Sequence, residues 1–326
     1  MPTPPVIHDL YAAAERIKSH ILPTPLLESP HINEICGGRV LIKAEPLQRT
    51  GSFKFRGAFN TLAQLDDEAR AGGVVAYSSG NHAQGVAAAA EILGMPAVIV
   101  MPEDAPAIKV ANTRSYGAEV VMYDRYSENR EEIGARISEE RDATLIKPYD
   151  DPRIIAGQGT VGLEIVRQMR DLDLVPDAVL VPCGGGGLIS GVGLAIHHGL
   201  PETEIYSVEP EGYDDTRQSL DAGERMQVDI SMPSICDALL APTPGELTFA
   251  INRDLLSGGR TVSDDDARDA MRQAFSRLKL VVEPGGSVAL AAALSKKYDC
   301  TGKTVCVVCS GGNVDRLMYS EILSTG

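Results

Sequence analysis

Three stretches of the chain combine residue types and spacing that can do chemistry. The first is Lys54 in TGSFKFRGAFN, a lysine between Phe53 and Phe55 at the start of a helical pattern. Aromatic neighbours desolvate the amine and a helix N-terminus disfavours a cation, so both favour the neutral form. A neutral amine can form a Schiff base with a carbonyl. The second is Gly184, Gly185, Gly186 and Gly187 in VPCGGGGLISG. Without Cβ atoms the backbone can curl until several N–H groups face one anion, and the next helix adds its positive end. This is a phosphate cradle, without the Lys-Ser/Thr of a nucleotide P-loop and without G-x-G-x-x-G spacing. A phosphate-bearing aldehyde bound as an imine to lysine is pyridoxal phosphate. The third is SSGNH, which sets Ser78, Ser79, Asn81 and His82 at a helix start. N–H groups and short side chains there can hold the α-carboxylate of an amino acid. His82 reads either as a general base or as a structural neighbour.

These residues need elements to position them. Short β-branched runs alternate with amphipathic helical patterns, the signature of a parallel α/β sheet. Strands are predicted at Val40 to Lys43, Val74 to Tyr77, Ala97 to Met101, Glu119 to Tyr123, Ala178 to Pro182, Glu204 to Glu209 and Thr304 to Cys309. Most are nearly continuous in apolar residues, as strands buried on both faces are. Helices are predicted at Phe55 to Leu65, Gln84 to Leu93, Glu128 to Glu140, Gly159 to Met169 and Asp264 to Arg277. Three strand ends run into small residues: Tyr77 into SSGNH, Pro182 into CGGGG, and Cys309 into SGGN. Ligands of open α/β sheets bind at the carboxyl ends of strands, so the three junctions can converge on one ligand.

Composition sets outer bounds. The chain has 326 residues, 44% hydrophobic and 23% charged, enough for one large or two medium domains with buried cores. A formal charge of −15 repels nucleic-acid phosphate and anionic lipid, so neither is an expected partner. The first twenty residues lack a basic start followed by an apolar core, and no apolar run approaches a membrane span. Six cysteines in a chain this long, two of them in a strand-like run, read as reduced thiols of a cytoplasmic protein.

SFKFRGA, SSGNHAQGVA, GGGG and VCSGGN follow one another between about Ile7 and Asp315. In that order they resemble the fold-type II pyridoxal-phosphate enzymes. Within that family the chain is most similar to the serine/threonine dehydratases, with serine racemase and 3-hydroxyaspartate dehydratase as near relatives. The resemblance implies an α/β, tryptophan synthase β-like fold of two open parallel-sheet domains with the cofactor in the cleft. Residues 1–71 plus 149–326 would form the large domain and 72–148 a small mobile one. By motif position, Lys54 would be the Schiff-base lysine and Phe53 would pack on the cofactor ring. Asn81 would bond the ring hydroxyl, Gly184 to Gly187 the phosphate, and Ser310 the pyridine nitrogen.

The same resemblance places Ser79 on the ring face opposite the lysine, where a hydroxyl makes racemase side activity plausible. Glu209 and Asp215 in SVEPEGYDD, with the carbonyl of Tyr213, match the family's divalent-cation ligands, a set suited to Mg²⁺, Ca²⁺ or Mn²⁺. Arg130 lies near a substrate-contacting arginine of the relatives and would favour 3-hydroxyaspartate if it reached the site; on a Glu-rich helix it also reads as a solvated ion-pair residue. Glu283 matches a glutamate near the cofactor or caps a helix. The implied activity is β-elimination from L-threonine or L-serine to a 2-oxo acid and ammonia, by a homodimer acting on small amino acids. 3-Hydroxyaspartate dehydratase and serine racemase are the alternatives.

Overall fold

The computed structural model describes residues 2–325 except 79, 106, 125, 126 and 230. Ten strands make two sheets. They are β1 (Leu26–Glu28), β2 (Arg39–Ala44), β3 (Val74–Tyr77), β4 (Ala97–Pro102), β5 (Glu119–Tyr123), β6 (Thr144–Leu145), β7 (Ala178–Pro182), β8 (Glu204–Pro210), β9 (Gly258–Val262) and β10 (Thr304–Cys309). The six-stranded sheet runs β1-β2-β10-β7-β8-β9, and the four-stranded sheet runs β5-β4-β3-β6. All pairings are parallel except β1 with β2, whose antiparallel register pairs Leu26 with Lys43.

All seven predicted strands are present, and most are buried along almost their whole length. Every residue of β3, β4 and β7 is buried, so no polar face exists to alternate with. Three strands were not predicted. β1 and β6 are only three and two residues long. β9 opens on two glycines and is half-exposed, a sheet-edge pattern without a hydrophobic run. The predicted Gly159 to Met169 helix begins earlier, at Pro152, and runs to Asp171. Asp151 caps it by accepting from the N–H groups of Arg153 and Ile154, and Pro152 supplies the fixed φ of a first turn. A further helix, Pro284–Leu294, is buried at every position and therefore has no amphipathic pattern to read.

The topology brings the site together. Tyr77 ends β3, Pro182 ends β7 and Cys309 ends β10, and the residues after each line one cavity. The helix Lys54–Leu62 shares an apolar cluster with the four-stranded sheet and the helix Asn81–Leu93, through Phe55, Ala58, Phe59 and Leu62 with Val74, Ala76 and Ile99 of the sheet and Val86 of that helix. No helix among the described residues is long and apolar enough to cross a membrane. All six cysteines are free and buried.

Candidate active site

A cavity of about 160 Å³ lies between the carboxyl ends of β3, β7 and β10. Its lining includes Phe53, Lys54, Ser78, Asn81, His82, Arg130, Gly184, Gly185, Gly186, Gly187 and Ser310. The structure thus brings together all the expected cofactor and substrate residues except Ser79, which lies outside the described residues. Glu209, Tyr213 and Asp215 do not line the cavity.

Lys54 opens its helix, as expected. Its Nζ donates to the carbonyl of Pro148 at 2.9 Å and stands 5.2 Å from the centroid of the Phe53 ring. Burial lowers its pKa to about 8, because no carboxylate is near enough to keep the ammonium charged. The helix is anchored one half-turn on by Arg56, which is fully buried. Arg56 grips Glu45 with two N–H groups at 2.9 and 2.8 Å and Glu164 at 2.7 Å. Lys43 completes the cluster at 2.6 Å from Glu164. Burial alone would lower the pKa of Arg56, yet Glu45 and Glu164 raise it.

The four glycines line the same cavity. Gly186 has φ +90°, a conformation that side chains rarely adopt. A Cβ on Gly185 would lie 2.3 to 2.4 Å from three carbons of the Tyr149 ring, so the backbone passes directly under that tyrosine. Gly187 begins the helix Gly187–Gly199, whose positive end faces the cavity. Gln158, with both side-chain polar atoms lacking a partner and buried, lies against Gly187. Thr248 Oγ1 pins the Gly185 carbonyl at 2.8 Å. These features make an N–H-rich floor suited to phosphate.

Asn81 is held by two side chains. Its amide donates to Glu283 Oε1, and its Oδ1 accepts from Asn313 at 2.7 Å. Glu283 stands at the N-cap of the Pro284–Leu294 helix, but its side chain makes no capping bond and turns to Asn81 instead. Burial pushes the Glu283 carboxyl up to about 7, with Lys109 acting in the opposite direction. His82 Nε2 lies 3.1 Å from the carbonyl of Ile146, and burial together with Lys54 drives its pKa down to about 3. A ring so strongly held neutral, with its Nδ1 buried and without a partner, is a fixed dipole beside the amine. Ser310 is buried after β10, and its carbonyl accepts from the Phe53 N–H at 3.1 Å.

Arg130 is exposed at the cavity rim, its guanidinium 5.6 Å from the Tyr77 ring centroid. Sequence reasoning missed Tyr77, Tyr149, Lys109 and Asp237, all of which line the cavity. Only Tyr77 carried a signal, as the last residue of a predicted strand.

The Glu209–Asp215 pair sits behind the glycines. Cys183, the residue before them, contacts Thr216 Oγ1 at 3.3 Å. Glu209 accepts from the N–H groups of Thr216 and Arg217 at 2.8 and 2.9 Å. Both oxygens of Asp215 are buried without a hydrogen-bond partner. Burial raises the pKa of Asp215 to about 8, and burial plus Asp215 raises that of Glu209 well above the carboxylate range. No group of three or more His, Cys, Asp or Glu side chains among the described residues is arranged to hold a metal.

The family model for pyridoxal-phosphate dependent enzymes matches residues 17–311. The chain belongs to this family. It is 44% identical to an L-threo-3-hydroxyaspartate ammonia-lyase of Saccharomyces cerevisiae, covering 98% of this chain and 97% of that one. It is 43% identical to a serine racemase of Schizosaccharomyces pombe, over 98% of each chain. A crystal structure of the T.th. threonine deaminase superposes with a TM-score of 0.90 at 45% identity, covering 95% of this chain and 99% of that one. Membership gives pyridoxal phosphate as the cofactor, and the cavity fits it. The glycine floor has room for no side chain at Gly185, the amine of Lys54 is buried in the same cavity, and Ser310 offers a neutral hydroxyl.

Proposed function

We propose that this pyridoxal-phosphate enzyme is an ammonia-lyase of short β-hydroxy amino acids, with L-threonine and L-serine turned into a 2-oxo acid and ammonia. The observation that carries the reading is the Lys54 amine, lowered to about 8 by burial, in one cavity with four glycines. Bound pyridoxal phosphate would supply the electron sink for cleavage at Cα. Gly184 to Gly187 would hold its phosphate, Asn81 its ring hydroxyl, Phe53 its ring face and Ser310 its ring nitrogen. A serine hydroxyl brings no negative charge to that nitrogen, which favours prompt loss of a β-leaving group over a long-lived carbanion. Neutral Lys54 takes the Cα proton at Nζ. The Ser78–Asn81 turn would orient the α-carboxylate, with Ser79 contributing from the opposite side.

A second reading, 3-hydroxyaspartate as the preferred substrate, is favoured by Arg130 at the rim, a guanidinium placed to meet a second carboxylate. A divalent cation, Mg²⁺, Ca²⁺ or Mn²⁺, would sit on Glu209, Asp215 and the carbonyl of Tyr213. The buried, partnerless oxygens of Asp215 support that assignment. Residues 72–148, which contain the four-stranded sheet, would form the small domain that closes over the substrate. Unbridged thiols support a cytoplasmic setting, and the working form would be a homodimer.

The test is oxo-acid release and product chirality for L-threonine, L-serine and L-threo-3-hydroxyaspartate. Lys54→Ala should lose at least about a thousandfold in rate. Arg130→Ala should raise KM for 3-hydroxyaspartate about tenfold, more than for threonine. Full activity of Lys54→Ala would overturn the lyase assignment, and D-serine as the main product would replace it with racemisation.

A further inference from the structure

The lining holds one ion pair that no sequence motif announced. Lys109 rises from the helix Ala107–Ser115, which follows β4 of the four-stranded sheet. Its Nζ reaches Asp237 Oδ2 at 2.7 Å. Asp237 opens a short turn, Asp237–Leu239, that lies between β8 and β9 of the six-stranded sheet. The pair therefore ties the two sheet systems together across the cavity. Lys109 is 4% exposed, whereas the Asp237 side chain is 43% exposed, so the cation is buried and its partner faces the opening.

Two further contacts fix what this pair touches. A Cβ on Gly80 would stand 3.6 Å from Lys109 Nζ, so the ammonium lies against the Ser78–Asn81 turn. The turn after Asp237 is wedged on the glycine floor, since a Cβ on Gly184 would be 3.2 Å from the Leu239 Cα. Burial alone would lower the pKa of Lys109, but Asp237 and then Glu283 raise it, so the amine stays charged. A lysine held this way touches the Ser78–Asn81 turn directly and reaches the glycine floor through the turn that Asp237 opens.

We propose that Lys109 is a positioning residue: paired with Asp237, it clasps the substrate turn to the glycine floor and cancels the aspartate's charge where substrate carboxylates enter. The proposal rests on the amino-acid site argued above. Without Lys109, Asp237 would stand uncompensated at the opening and repel the carboxylate of any amino acid. The cost should appear in KM more than in kcat, because the chemistry belongs to Lys54.

The experiment uses the pyridoxal-phosphate-loaded protein and four variants: Lys109→Met, Lys109→Arg, Asp237→Asn, and the double variant Lys109→Met with Asp237→Asn. Lys109→Met should raise KM about tenfold or more with kcat within about threefold. Lys109→Arg keeps the charge and should restore KM to within about threefold of wild type. The double variant, neutral again at the opening, should recover most of the loss in KM. Amide hydrogen exchange, measured without substrate, reads the clasp separately. Exchange over residues 107–115 should quicken about tenfold in Lys109→Met and in Asp237→Asn. A KM for Lys109→Met within about twofold of wild type, or a double variant as poor as Lys109→Met, would overturn the charge role. Unchanged exchange in both single variants would overturn the clasp. If the wild type turns over none of the amino acids, the lyase assignment fails while the exchange comparison still decides the clasp.

Discussion

Two groups of buried charge lie within this fold, and they are built on opposite principles. Around Arg56, two cations and two carboxylates close on one another, with Thr24 Oγ1 adding a 2.5 Å bond to Glu45 and Gln168 accepting from Lys43 at 2.9 Å. None of their polar atoms is left without a partner. Burial alone would raise the pKa of Glu164, but Arg56 and Lys43 hold it below the usual carboxylate value. Around Glu209 and Asp215 the picture inverts. Two carboxyls lie close enough to interact, Glu209 is met only by N–H and O–H groups, and the guanidinium of Arg217 is taken by Asp214 and Asp221. Both carboxyls are driven above the normal range. A closed cluster is scaffold, and here it anchors the helix that starts at Lys54. An open one is costly while both groups are charged, and either a proton or a bound cation would relieve it.

The sharpest break in that contrast is Arg56→Met. It strands the Glu45 carboxylate in the interior and leaves Glu164 with Lys43 as its only cation, and should cost about 3–5 kcal/mol in denaturant unfolding. A loss under about 1 kcal/mol would mean the closed cluster is not the scaffold described. Next comes the cation. Mg²⁺ or Ca²⁺ at about a hundredfold excess over its Kd should stabilise the wild type by about 2.7 kcal/mol. Asp215→Asn should abolish that response and leave the metal-free protein as stable or more so. An equal response in Asp215→Asn would place the cation elsewhere.

The most gradual expected signal concerns Glu283, a buried carboxyl between the two extremes. Its folded pKa, about 7, lies above the usual 4.5, so the native state binds the extra proton between those values. Stability from this group is therefore present below pH 4.5 and lost as pH rises towards 7, with a slope of at most about 1.4 kcal/mol per pH unit. Glu283→Gln should flatten that part of the stability curve. An unchanged curve would mean that Glu283 is already ionised.

The parts of the site that were legible before the structure are those written as local runs. SSGNH, the four glycines and SGGN each follow a strand end, so they could be expected near one ligand, and Lys54 joined them through its aromatic neighbours, its helix start and the family resemblance. The division into two sheets came from the family resemblance and not from the β-runs themselves, because strand order depends on which runs pair across long separations. Lys109 and Asp237 were also hidden. Each is an ordinary charged residue in its own segment, and they meet only through a contact across 128 residues of sequence. Glu283 was left between two readings for a similar reason. Its backbone does stand at a helix cap, but where its side chain turns is decided by Asn81, far away in the sequence.

Strand order also has a consequence for how the chain is made. The four-stranded sheet is drawn from one continuous stretch, β3 to β6, and all its pairings are available once residue 145 has been synthesised. The six-stranded sheet has β10 inserted between β2 and β7, so its centre is the last strand to emerge. On the ribosome, β2 must wait with an unpaired edge while some 260 further residues appear, about the span from Arg39 to Thr304. The part of the molecule whose strands can all pair early is the one carrying SSGNH, whereas the sheet bearing the phosphate floor is complete only with its last strand, which makes late synthesis the stage most open to aggregation.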